Sequence, residues 1–103
     1  MKQVIENKMY DTEKAQELGT YWNGSSRGDF KYVRETLYKT KKGTYFLYGE
    51  GGAHSIYAIS VGSSCCGGEE IQPMSETDAF EWAQTKLSGE EVQQHFSSLI
   101  EEA

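Results

Sequence analysis

From Tyr32 to Tyr48 polar and apolar positions alternate. Tyr32, Arg34, Thr36 and Tyr38 interleave with Val33, Glu35, Leu37 and Lys39, and after Thr40-Lys41-Lys42-Gly43 the run Thr44 to Tyr48 returns along the first. A period of two, rich in aromatic and β-branched residues and broken by one Gly-containing turn, predicts a β-hairpin. Val33 and Leu37 share a face, and Phe46 and Tyr48 join that face or its reverse according to register. Upstream, "KQVIENKMYDT" (residues 2–12) predicts a short strand or hairpin turning at Glu6, Asn7 and Lys8. Downstream, "SIYAISVG" (55–62) predicts a strand, "SSCCGG" a loop, and "EEIQPM" a last extended segment.

Three stretches carry a helical period instead. Ser75 with Asp78, and Ser88 with Glu91, have the spacing at which a serine caps a helix and the third residue answers it. Ala79, Phe80, Ala83 and Leu87 line the first of these helices, and Val92, Phe96, Leu99 and Ile100 the second. Near the N-terminus, Asp11 or Thr12 caps a third, short helix on which Ala15, Leu18 and Trp22 recur at i, i+3 and i+7. The expected fold class is α+β: a small antiparallel sheet of three to four strands packed against C-terminal helices, with a short N-terminal helix. At 103 residues the chain fits a single domain spanning 1–103, whose expected core includes Leu37, Phe46, Ile59, Phe80, Ala83, Val92, Phe96 and Ile100.

Charge divides the chain. Residues 1–68 hold seven acidic and nine basic side chains, and residues 69–103 hold nine acidic and one basic. The last third therefore carries a field that repels nucleic acid and favours a basic partner surface. Glu90 and Glu91 also suit a helix N-terminus, so part of this acidity has a local structural use. No apolar run approaches the length of a membrane span and no secretory h-region opens the chain, so a soluble, cytoplasmic, monomeric protein is expected. Cys65 and Cys66 are adjacent and alone, which gives no disulfide framework and too few ligands for a metal; they are expected as reduced loop thiols.

Candidate chemistry is sparse. "YGEGG" (48–52) lacks both the dinucleotide and the P-loop patterns and runs into a strand rather than a helix, so it is expected to be a turn with a glycine at positive φ and no cofactor. Glu50, His54 and Ser55 suggest a hydrolase, but the nucleophile-elbow context is missing. Tyr21, Trp22, Tyr45, Tyr48, Tyr57 and Trp82 offer stacking faces without a positive groove beside them, which favours core packing over single-strand binding. Lys39, Lys41 and Lys42 form the only basic cluster, read here as a hairpin tip that deters edge pairing. Arg27-Gly28-Asp29 is too short a match to carry integrin binding.

"YDTEKAQELGTYWNG", "ETLYKTKKGTYFLYGEGG", "SIYA" and "GGEEIQPMSETDAFEWAQ" together resemble a group of short acidic proteins of phages and mobile elements of gut bacteria that includes type II-A anti-CRISPR proteins. The resemblance runs over nearly the whole chain, apart from the Cys65-Cys66 pair. It implies a noncatalytic inhibitor of a type II RNA-guided DNA endonuclease, with the CRISPR effector nuclease of the bacterial host as partner and no direct binding to nucleic acid. Such nucleases hold guide and target in basic channels. Glu69, Glu70, Glu76, Asp78, Glu81, Glu90 and Glu91 are the expected partner-binding residues, as phosphate surrogates. The alternative is a noncatalytic protein-binding accessory or counter-defence protein of a mobile element.

Overall fold

Strands β1 (Lys2–Ile5) and β2 (Lys8–Asp11) form the expected N-terminal hairpin, turning through Glu6 and Asn7 at φ 51° and 68°. Two consecutive left-handed residues give the primed turn that matches strand twist. The computed structural model describes residues 1–103 and is an α+β arrangement of antiparallel sheets with two C-terminal helices.

The main sheet has four antiparallel strands in the order β3 (Gln16–Trp22), β4 (Val33–Lys39), β5 (Tyr45–Gly51) and β8 (Gly68–Met74). Leu37 faces Leu47 and Tyr38 faces Phe46 in the β4–β5 register, so the hairpin of the alternating segment is present with Gly43 at φ 89° in its turn. Alternation sends neighbours to opposite faces, and both faces are covered. One receives helices α1 (Glu76–Lys86) and α2 (Gly89–Phe96), which close over Leu18, Leu37, Tyr45 and Leu47 with Ala79, Ala83, Val92 and Phe96. The other receives the N-terminal hairpin, whose Tyr10 packs edge-on against Phe46 at 5.4 Å beside Ile71. Phe46, Phe96 and Leu37 are the largest fully buried side chains. Truncating either phenylalanine to alanine removes about 3–5 kcal/mol of stability by the usual core-deletion cost.

Both helices start where the serines place them. Ser75 Oγ accepts from the Asp78 amide at 3.1 Å, and Ser88 and Glu91 form a reciprocal capping box. The short N-terminal helix is absent: residues 16–22 are strand β3, paired along β4 with a bulge at Leu18. The bulge places Leu18 and Gly19 both in buried positions and breaks the period of two. Ala15, Leu18 and Trp22, whose spacing suggested a helix, share no face: Ala15 packs beside Tyr10 and Phe46, Leu18 under the helices, and Trp22 is exposed. Thr20, Tyr21 and Trp22, all strand formers, were the contrary signal.

Three further expectations are corrected. Of "SIYAISVG" only β6 (Ile59–Val61) is strand, because the Ser55 hydroxyl and carbonyl accept from the amides of Tyr57 and Ala58 and turn the chain there. The "SSCCGG" loop instead contains β7 (Ser64–Cys66), which pairs only with β6 around Gly62 at φ 61° and displays both free thiols to solvent. Ile59 and Ile100 are exposed rather than core: the β6–β7 ribbon is covered by nothing, and a 3-10 turn at Ser97–Leu99 ends α2 before Ile100 can use its stripe. Phe80 is partly buried, tilted against Phe96 at 5.5 Å, and Leu37, Phe46, Ala83, Val92 and Phe96 are buried as expected. No helix is long and apolar enough to cross a membrane.

Candidate functional site

Glu50 and Glu69 are direct neighbours across β5 and β8, an arrangement that costs energy when two like charges face each other unaided. Donors surround them. Arg27 Nη2 donates to both Glu50 oxygens at 2.9 and 3.1 Å, and the buried Tyr32 hydroxyl donates to Oε1 at 2.7 Å. The Tyr48 hydroxyl lies 2.5 Å from Glu69 Oε2 and 3.3 Å from Glu50 Oε2. Its single proton serves one carboxylate at a time, and the shorter contact gives it to Glu69.

Partial burial pushes the Glu50 carboxyl up, but the bonds from Tyr32 and Arg27 and the guanidinium charge outweigh it and hold the group below its ordinary range. Burial, then the bonds to these carboxylates, raises Tyr32 and Tyr48 above the usual phenol range. The cluster borders a shallow cleft of about 330 Å³ with Gly51, Gly67 and Gly68 in its wall. Its chemistry is that of a clasp: an ionised acceptor held by three donated bonds, which ties the 23–32 loop to the sheet. Arg27, 78% exposed, points into this clasp rather than displaying the Arg-Gly-Asp triad.

A second carboxylate sits on the helix-covered face. Glu35 is buried beside Val33 and Leu37 on the same side of β4; it accepts from Trp82 Nε1 at 3.1 Å and from the Tyr57 hydroxyl. These bonds join the sheet, helix α1 and the 52–58 turn at one point. Burial, followed by the bond to Glu35, raises the Tyr57 hydroxyl well above its ordinary range.

The glycines of "YGEGG" are not a positive-φ turn. Gly49 and Gly51 lie within β5, and among the glycines only Gly24, Gly43 and Gly62 have positive φ. They are spacers. A Cβ on Gly49 would lie 2.0 Å from Tyr57 Cζ, and one on Gly52 would lie 2.4 Å from the Asp29 carbonyl oxygen.

Glu50, His54 and Ser55 make no hydrogen bond to one another: Glu50 is held as above, His54 is exposed beside the Phe30 ring at 5.1 Å, and Ser55 Oγ donates to the Gly52 carbonyl at 2.7 Å. Of the aromatics with possible stacking faces, Tyr45 and Tyr57 are buried, Tyr21, Tyr48 and Trp82 half-buried, and Trp22 exposed.

The seven acidic residues expected to meet a partner are spread over three elements. Glu69 and Glu70 alternate across the edge strand β8, Glu76, Asp78 and Glu81 lie on α1, and Glu90 and Glu91 open α2. All are exposed except Glu91, which is half-buried in its capping box. Glu69 is engaged by Tyr48. Asp78 and Glu81 border one shallow groove with Trp82. Lys86, the one basic residue of this third, lies over the Tyr21 ring at 4.3 Å. The molecule holds a single ion pair, Arg27–Glu50.

The sequence singled out Arg27, Tyr48 and Glu50 separately but not as one cluster with Tyr32. It missed Glu35, whose only signal was a carboxylate at a position that alternation assigns to an apolar face. Comparison of the chain with protein-family models, with curated proteins and with solved structures finds no match.

Proposed function

We propose that this protein works by binding, with its acidic β8–α1–α2 surface set into a basic groove, and that the groove is the nucleic-acid channel of a type II RNA-guided nuclease. One observation carries the binding mode: none of the nine acidic residues after position 68 is in an ion pair. An acidic surface neutralised by its own lysines has little left to offer a partner, whereas this one keeps its charge for an external cationic surface. The choice of nuclease rests on the resemblance of the four sequence blocks quoted above. Inhibition then follows from occupancy, since DNA and the protein compete for the same basic channel.

The test is DNA cleavage by a guide-loaded type II nuclease with and without the protein, alongside a direct pull-down. Expected is loss of cleavage with co-purification of the two. Intact cleavage across a panel of such nucleases removes this function.

A second reading, a mobile-element accessory that docks on another protein without blocking cleavage, is favoured by one feature. The β6–β7 ribbon region leaves Ile56, Ile59 and Val61 more than half exposed, an apolar contact that needs no charge. Pull-down of the nuclease without inhibition supports that reading.

A further inference from the structure

The net charge of −6 sets an expectation against nucleic acid, yet the basic residues are not evenly placed. Lys8 and Lys14, from β2 and the turn after it, and Lys41 and Lys42, from the β4–β5 turn, border one cleft of about 580 Å³. Asp11 is the only carboxylate in its wall, and it is buried, with Oδ1 accepting from the Glu13 amide at 3.0 Å. None of the four lysines has an acidic partner, because the one ion pair in the molecule is elsewhere.

A hairpin tip that deters edge pairing explains Lys41 and Lys42. It does not explain Lys8 and Lys14, which belong to a different hairpin laid on the face of the sheet. That hairpin is anchored: Tyr10 packs on Phe46, the Thr12 amide donates to the Met1 carbonyl at 3.0 Å, and the Lys14 amide donates to the Asp11 carbonyl at 3.2 Å. The cleft is thus formed before any ligand arrives, on the opposite face of the sheet from the helices. Four lysines around one concavity repel one another, and no ion pair within the chain offsets that repulsion.

We propose that this cleft is a binding site for the phosphodiester backbone of a single-stranded nucleic acid, with RNA as the probe of choice. Two features set the ligand class. All the cations are lysines, point charges suited to a run of phosphates, and no arginine fork is present to grip one planar anion. They stand on two separate elements flanking the cleft, so a chain of phosphates satisfies more of them than a single phosphate does. No exposed aromatic lines the cleft, so binding tracks the backbone and is tolerant of sequence. A concave site also takes a strand better than a flat lipid surface. The site stands independently of the inhibitor reading, none of whose acidic residues lines this cleft.

The experiment is fluorescence anisotropy of labelled oligouridylate (a 12-mer) with the full chain at low salt, together with amide chemical-shift mapping. Binding should weaken with salt with a log–log slope of about −2 to −3, as three or four phosphate contacts on a single strand give. Shifts should concentrate at residues 7–15 and 40–44. The Lys41→Ala/Lys42→Ala variant should bind about tenfold more weakly, while Lys31→Ala/Arg34→Ala, which removes equal charge outside the cleft, should bind as the parent does. Unchanged amide spectra away from the mutated positions verify that both variants fold. The proposal is overturned by no binding at low salt, by equal loss in both variants, or by shifts mapping elsewhere. Binding of inorganic phosphate alone, or of phosphatidylserine vesicles but not the oligonucleotide, overturns it as well.

Discussion

Tyr57 reaches Glu35 across Gly49: its ring lies where a β-carbon at position 49 would be, and its hydroxyl donates to a carboxylate otherwise held only by Trp82. Gly49→Ala therefore forces the ring off the sheet and parts the bond. The expected cost is about 2–3 kcal/mol, the usual range for overpacking a filled site with loss of a buried partner added. Urea unfolding measures it, and an unchanged midpoint would show that the ring has room to move.

The same contact has a pH signature. Burial first, then Glu35, raises Tyr57 above its ordinary 10.0, and burial with Glu69 does the same for Tyr48. A phenol whose folded pKa exceeds its unfolded one contributes its full stability below about pH 10 and loses it as pH rises toward the folded value. Melting temperature should thus hold level from these groups up to about pH 9 and fall beyond about pH 10. Tyr57→Phe should cost about 1–3 kcal/mol at neutral pH, because Glu35 keeps one donor, and should flatten part of the alkaline fall. A Tyr57→Phe profile parallel to the parent's at high pH refutes the linkage.

Two glycines, Gly52 and Gly89, should respond with opposite signs. Gly52→Ala drives a methyl into the Asp29 and Phe30 carbonyl oxygens, at 2.4 and 2.6 Å, which are backbone atoms with little freedom. It should destabilise by about 1–3 kcal/mol. Gly89, the first residue of α2, has open space around it and an ordinary φ, so Gly89→Ala should stabilise by about 0.5 kcal/mol through helix propensity and a less flexible unfolded chain. Thermal melts of the two variants decide; a shared direction would contradict the assignment of one of them.

Charge should matter to inhibition and hardly at all to folding. Glu69 and Glu91 are poor test positions, because Tyr48 and the Ser88 cap use them. Neutralising Glu70, Glu76, Asp78 and Glu81 together to their amides avoids both. Exposed charges contribute about 0–1 kcal/mol each to stability, so the variant should stay folded. Its inhibition of a nuclease the parent inhibits should drop at least tenfold, and the parent's own inhibition should weaken as salt rises. Equal inhibition by the folded variant at ordinary salt excludes charge mimicry.

Local signals determined much of this molecule unaided. The 33–48 hairpin, the turn at Glu6-Asn7 and the two serine-capped helices follow from alternation, turn residues and cap spacing, all of which act within a few residues of each other. The same locality explains the failures. Ala15, Leu18 and Trp22 counterfeited a helix by spacing alone although they share no face, the bulge at Leu18 hid the period of β3, and the Ser55 turn cut a strand that composition had extended. Only tertiary structure decided that Phe46 lies on the face opposite Leu37 and meets Tyr10, since register depends on which face each neighbour covers. It alone showed that the glycines of residues 49–52 make room for Tyr57, Ser55 and backbone carbonyls rather than bend the chain. Close approach is a property of two distant segments, and no single window of the chain contains both. For the same reason Arg27, Tyr32, Tyr48, Glu50 and Glu69 converge, and Lys8 and Lys14 join Lys41 and Lys42 around one cleft, only when the hairpins are laid on the sheet. A count of charges records how many lysines and carboxylates there are, while which of them gather around one cleft arises from packing.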